Sequence, residues 1–155
     1  MTGEIVSLWC ATLCDAPLLP LSRATVIAQK GIEGDRYFDK PDKKPGEEIT
    51  FIEEEMVDRV NKALGLQIHP SRTRRNVVTR NIDLNALVGK RFHCGSATFE
   101  GVELCEPCAY LGRLLQTPEV PPRAIIAAFT GRGGLRARIV ASGAVKPGDI
   151  FNIVP

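Results

Sequence analysis

Pro107 is the residue that most limits what this chain can fold into. The run Val102–Leu104 reads as part of a β-strand, and Pro107 stops it. Proline has no N–H to give a ladder, and it keeps the residue before it, Glu106, out of helical geometry. Just beyond, Leu111, Leu114 and Leu115 fall at helical spacing, which predicts a short helix over Ala109–Leu115. Cys108 sits at the junction. A thiol at a helix start meets free backbone N–H groups that favour its anionic, reactive form, so Cys108 is the candidate reactive thiol.

Similar punctuation divides the rest of the chain. Short β-like runs are predicted at Glu4–Cys10, at Arg23–Ala28 as its returning partner, and at Ile49–Ile52 and Val77–Thr79. A hairpin over Arg91–Gly95 and Ala97–Leu104 follows, then strands at Leu135–Ala141 and Asp149–Val154. The clearest helix is Glu53–Leu64, with acidic residues in its first turn, an apolar stripe of Met56, Val60, Ala63 and Leu64, and Gly65 as its stop. A second helix is predicted over Arg123–Phe129. Asp15–Pro20 reads as a loop, and Asp39–Glu48 as a polar surface loop placed to act as a lid. The expectation is a mostly β single domain over residues 1–155 with peripheral helices, without repeats or linkers.

Composition narrows the function classes. A net charge of +2 is too small to argue for nucleic acid or an anionic membrane, and no segment approaches a membrane span. The expected address is the cytoplasm. Five cysteines are an odd number in a chain too large to need disulfide staples, which suits a reducing compartment and free thiols. Cys10, Cys14 and Cys94 read as small buried apolar residues, Cys105 as a bystander, and His69 and His93 as structural.

Three further stretches can hold an anion. Gly31-Ile32-Glu33-Gly34-Asp35-Arg36-Tyr37 allows a tight turn presenting Asp35 and Arg36 together; the plainer reading is an Asp capping the loop's own N–H groups with Arg36 as its ion partner. Arg72, Arg74 and Arg75 lead into the Val77 strand, where alternation would send Arg75 to one face and Arg74 with Asn76 to the other. Gly131-Arg132-Gly133-Gly134 lets backbone approach an anion, but it lacks the lysine and spacing of a nucleotide loop.

Taken in order, Gly31–Arg36, Arg75-Asn76-Val77-Val78, Leu84 with Leu87-Val88-Gly89, Glu106-Pro107-Cys108, Gly133-Gly134-Leu135 and Gly143 with Gly148-Asp149 resemble the MOSC domain, named for the C-terminal domain of molybdenum cofactor sulfurases. The resemblance spans nearly the whole chain. It implies a closed, largely antiparallel β-barrel of the pyruvate-kinase-barrel type. It also implies that Cys108 either carries sulfur as a persulfide or ligates the molybdenum of a pyranopterin cofactor. Asp35, Arg36, Arg75, Asn76, Gly133 and Gly134 would then bind the cofactor. Many relatives have histidine where this chain has Tyr37, so no imidazole acts there. The larger sulfurases add a pyridoxal-phosphate desulfurase domain, for which this chain has no room.

Three functional readings follow. One is a sulfur carrier or cofactor-binding module supplied by a cysteine desulfurase. Another is a molybdenum-dependent reductase of N-hydroxylated compounds, which would need a separate electron-transfer protein. The last takes Cys105 and Cys108 as a dithiol or, with Cys10 and Cys14, as a zinc site.

Overall fold

The computed structural model describes residues 2–155. Eleven strands run in chain order: β1 Glu4–Cys10, β2 Leu19–Leu21, β3 Ala24–Ile27, β4 Gly31–Ile32, β5 Ile49–Glu53, β6 Val77–Arg80, β7 Arg91–Cys94, β8 Ala97–Leu104, β9 Leu135–Ala141, β10 Gly143–Val145 and β11 Phe151–Ile153. Three α-helices are interspersed, α1 Glu54–Leu64, α2 Ala109–Leu115 and α3 Pro122–Phe129. The main sheet has the order β11-β7-β8-β9-β5-β6-β1-β2, and β10-β3-β4 form a smaller one. Within these sheets only β5 and β6 pair in parallel, joined through α1 as a crossover.

Burial explains that arrangement. Along β5 and β6, Phe51 and Val77 point into one core while Ile52 and Val78 point into another. Inside the curved sheet, Phe51 meets Phe92 and Phe99 edge-on with ring centroids 5.7 Å apart in both pairs. On the outer side, Met56, Val57 and Val60 of α1, Leu111 and Leu115 of α2 and Ile125 and Phe129 of α3 cover Ile52 and Val78. Both faces of the parallel pair are therefore dry. Val57 lies in the α1 stripe where Ala63 was expected, and Ala63 is exposed. Gly65 ends the helix in the left-handed region at φ 66°, as its position predicts.

The mostly β fold with peripheral helices is as the sequence predicts, but the sheet is not a closed barrel. Its ladder ends at β11 and β2. The segment before β11 meets β1 only through the single bridge Glu4–Ile150 and a few backbone bonds, such as Ile5 N–H to the Asp149 carbonyl at 2.9 Å. Gly148, at φ 92°, turns the chain out of extended geometry just there, so no continuous ladder can form across the seam. Two other expectations change. β1 is partnered by β2, which overlaps the end of the predicted loop, and Pro20 is tolerated there because β2 is an edge strand. The predicted returning strand, β3, goes instead to the smaller sheet between β10 and β4.

Candidate functional site

The strand β8 and helix α2 bracket Glu106-Pro107-Cys108 as the sequence predicts, and Cys108 is the exposed N-cap of α2. Around it lies a cleft of about 350 Å³. Its walls come from five places: Cys14 and Asp15 on the loop after β1, Arg36 and Tyr37 after β4, Glu47 and Thr50 at the start of β5, Arg74 to Asn76 before β6, and Arg136 on β9. Cys105, Cys108 and Tyr110 complete it. Of the residues singled out in the sequence, Arg36, Arg75, Asn76 and Cys108 are thus brought together.

Arg75 holds the centre. It is buried, and it donates from Nε to the Gly133 carbonyl at 3.0 Å, from Nη1 to Thr73 at 2.9 Å and from Nη2 to Cys105 at 3.1 Å. All three acceptors are neutral carbonyls, and Arg75 makes no ion pair among the described residues. A guanidinium carries five N–H donors, so two remain, one on each terminal nitrogen, and neither carboxylate of the cleft wall, Asp15 or Glu47, is ion-paired with it. A buried cation left in that condition favours an anion.

Arg36 is set by Asp35. The buried Asp35 carboxylate accepts from Ala11 N–H at 3.2 Å, Tyr37 N–H at 3.3 Å and Arg36 Nη1 at 3.1 Å, while Arg36 N–H bonds the Ala11 carbonyl at 2.7 Å. The Arg36 guanidinium carbon also lies 4.8 Å from the centre of the Tyr37 ring. Asp35 therefore caps its own loop and aims Arg36, and it does not line the cleft itself. Asn76 is fixed in a similar way. Its side chain accepts from Thr50 N–H and Oγ1 at 3.2 and 3.1 Å and donates to the Trp9 carbonyl at 3.2 Å.

Gly133 and Gly134 act on backbone rather than on the cleft surface. A Cβ on Gly133 would come within 2.3 Å of the Cys105 carbonyl, and one on Gly134, at φ 113°, within 2.1 Å of that of Phe51. They let β9 begin flush against β8 and β5, and the Gly134 carbonyl accepts Cys105 N–H at 2.7 Å. The expected alternation of Arg74 and Arg75 along a strand does not occur. Arg74 caps a 3₁₀ turn at φ 65°, and β6 starts only at Val77.

The cysteines divide by exposure. Cys10, Cys94 and Cys105 are buried; burial, helped by Asp35, pushes the Cys10 thiol up, and burial takes Cys94 up to about 12. Cys14 is exposed on the cleft wall, against the expectation of a buried residue. Among the described residues no three His, Cys, Asp or Glu side chains are grouped to hold a metal, so the four-cysteine zinc site does not form. Arg74, Arg136, Glu47 and Cys14 are cleft residues that local sequence patterns did not single out as a group. Arg74 stands in the arginine-rich stretch before Val77, and the alternation of Arg136 and Arg138 along β9 is the available signal for Arg136.

Comparison with known proteins gives the following. The family model for the MOSC domain matches residues 40–152. No curated protein matches the sequence. Among solved structures, the YuaD protein from Bacillus subtilis is similar with a TM-score of 0.85 at 21% identity, over 97% of this chain and 94% of that one. YiiM from Geobacillus stearothermophilus is similar at 0.74 and 17%, over 99% and 75%. YiiM from Escherichia coli gives 0.73 and 17%, over 100% and 70%.

Proposed function

The chain belongs to the MOSC domain family, and from that premise we propose that its cleft handles sulfur for molybdenum-cofactor chemistry, with Cys108 carrying sulfane sulfur as a persulfide and the surrounding arginines holding the anionic part of a pyranopterin. The observation that carries this reading is the exposed Cys108 thiol sharing one cleft with Arg36, Arg74, Arg75 and Arg136. A thiolate or persulfide and an anionic ligand both need positive charge nearby, and Arg75, buried and ion-paired with no carboxylate among the described residues, supplies it.

The residues fit the cofactor. Cys108 is a soft thiolate donor of the kind molybdenum takes, and Arg36, Arg75 and Asn76 would hold the pterin and its phosphate, with Arg74 and Arg136 adding charge at the wall. When bound, the group supplies a redox-active metal with sulfur ligands. The chain's own residues bind and orient: Asp35 aims Arg36, Thr50 and Trp9 fix Asn76, and three carbonyls fix Arg75. A cysteine desulfurase is the class that generates such sulfur and would load Cys108. Among the described residues no helix is long and apolar enough to cross a membrane.

Incubation with a cysteine desulfurase and cysteine, with the persulfide trapped by an alkylating agent as it forms, should add one sulfur to Cys108 and to no residue of the Cys108→Ser variant, read by peptide mass mapping without reductant. Metal analysis of protein from a cofactor-producing host should find molybdenum. Absence of both the sulfur adduct and molybdenum would remove this reading.

A further inference from the structure

The cleft presents two exposed thiols. Cys14, on the loop after β1, lines the same space as Cys108 at the start of α2. Arg74 stands between the two segments: it donates from Nη2 to the Cys14 carbonyl at 2.7 Å and from Nη1 to the Ala16 carbonyl at 2.8 Å, and its guanidinium lies 6.0 Å from the ring of Tyr110, two residues past Cys108. At its other end the loop is pinned through Ala11, which exchanges bonds with Asp35 and Arg36. Thr12 to Asp15 are all exposed, so the turn can give locally without disturbing the core once the exposed bond from Arg74 to the Cys14 carbonyl opens. A disulfide needs Cα atoms within about 7 Å, and the exposed turn that carries Cys14 is the segment that would move to meet Cys108.

We propose that Cys14 is the resolving thiol of Cys108, an inference that rests on the sulfur-carrier reading above. The Cys14 thiolate attacks Cys108 Sγ of the persulfide. A Cys14–Cys108 bond forms, the bond from Cys108 Sγ to the outer sulfur breaks, and the outer sulfur leaves as hydrosulfide with the electron pair. The two cysteines are oxidised to a disulfide and the sulfane sulfur is reduced to sulfide, so the balance closes within the loaded protein. Positive charge on the cleft wall from Arg36 and Arg136 stabilises the departing anion. A carrier loaded without an acceptor would discharge itself in this way and be held as the disulfide until a thiol reductant resets it.

The full chain and its Cys14→Ser variant, treated with inorganic polysulfide and mapped by mass spectrometry without reductant, test the proposal. The wild type should lose the persulfide, release sulfide and gain a Cys14–Cys108 disulfide; Cys14→Ser should keep the persulfide on Cys108. Oxidised glutathione gives a second probe, because the mixed disulfide on Cys108 should be resolved by Cys14 with release of glutathione in the wild type only. A persulfide equally retained by both proteins, or a disulfide joining Cys105 to Cys108, overturns the proposal. Failure of Cys14→Ser to take up sulfur on Cys108 overturns the carrier reading beneath it.

Discussion

Arg75 donates from Nη2 to the carbonyl of Cys105 across 3.1 Å, and this bond fastens the start of β6 to the strand end that delivers Cys108. The same guanidinium fastens the start of β9 through Gly133. One side chain thus sets the spacing of three elements and leaves its charge at the cleft. Architecture and anion binding are joined in a single residue, which makes the two separable only by substitutions that keep one and lose the other.

Arg75→Lys is such a substitution. A lysine keeps the charge, but one ammonium cannot reach the Thr73, Cys105 and Gly133 carbonyls together, and each buried acceptor left bare costs about 1–3 kcal/mol. The variant should lose about 2 kcal/mol or more in urea unfolding while still binding inorganic phosphate more tightly than Arg75→Met. Equal stability of Arg75→Lys and wild type would mean that the three carbonyls do not depend on the fork.

The glycines on either side of this junction should respond very differently. Gly134→Ala puts a methyl group 2.1 Å from the Phe51 carbonyl at φ 113°, a clash with backbone that no rotamer can relieve, and the loss should be about 3 kcal/mol or more. Gly131→Ala, at φ 78° with nothing within 4 Å, bears only conformational strain of about 1 kcal/mol. Thermal melts of the two variants side by side decide it. Similar shifts would show that crowding is not what selects glycine at 134.

What the sequence made legible was local. β1, the β7–β8 hairpin, α1 and the Pro107 break into α2 each rest on neighbouring residues, and each lies where spacing predicts. What it did not make legible was contact between distant segments. β3 leaves the main sheet because its partners, β10 and β4, lie far along the chain and on a tight turn. Cys14 looks like a core residue in isolation, yet a bond from an arginine sixty positions later holds its loop on the cleft. Gly133 and Gly134 show the same limit: adjacent glycines signal a close approach, but not whether a ligand or the Cys105 and Phe51 backbones will make it.

Thiol labelling should reproduce the division by exposure. Native protein treated with iodoacetamide at mildly alkaline pH is expected to take the label at Cys14 and Cys108, with Cys10, Cys94 and Cys105 reacting only in denaturant. Burial that takes Cys94 up to about 12 keeps it a thiol across that range. Native labelling of Cys105 ahead of Cys14 would contradict the placement of the loop after β1.

Glu48 gives a prediction in pH. It is buried at 6% exposure, and its Oε1 accepts from Gln29 N–H at 2.9 Å and from Ile139 N–H at 3.2 Å, tying the turn between β3 and β4 to β9. Burial raises its carboxyl above the ordinary value of 4.5, against the opposing pull of those two bonds and of Lys43 and Arg138. An acid raised in the folded state binds its proton more readily folded than unfolded. Its contribution is therefore full below the ordinary value and is lost as pH rises through the folded one. Glu48→Gln keeps an oxygen for the same two N–H groups and carries no charge at any pH. Relative to wild type it should be at least as stable at neutral pH and should lose that advantage in acid, flattening the pH slope of the urea midpoint. Part of the slope should persist, because burial also raises Glu53. Glu48→Ala leaves both N–H groups without an acceptor and should cost about 1–3 kcal/mol throughout the range. A Gln variant weaker than wild type at neutral pH but equal to it in acid would show that the ionised carboxylate is a net stabiliser, with Lys43 and Arg138 outweighing its burial.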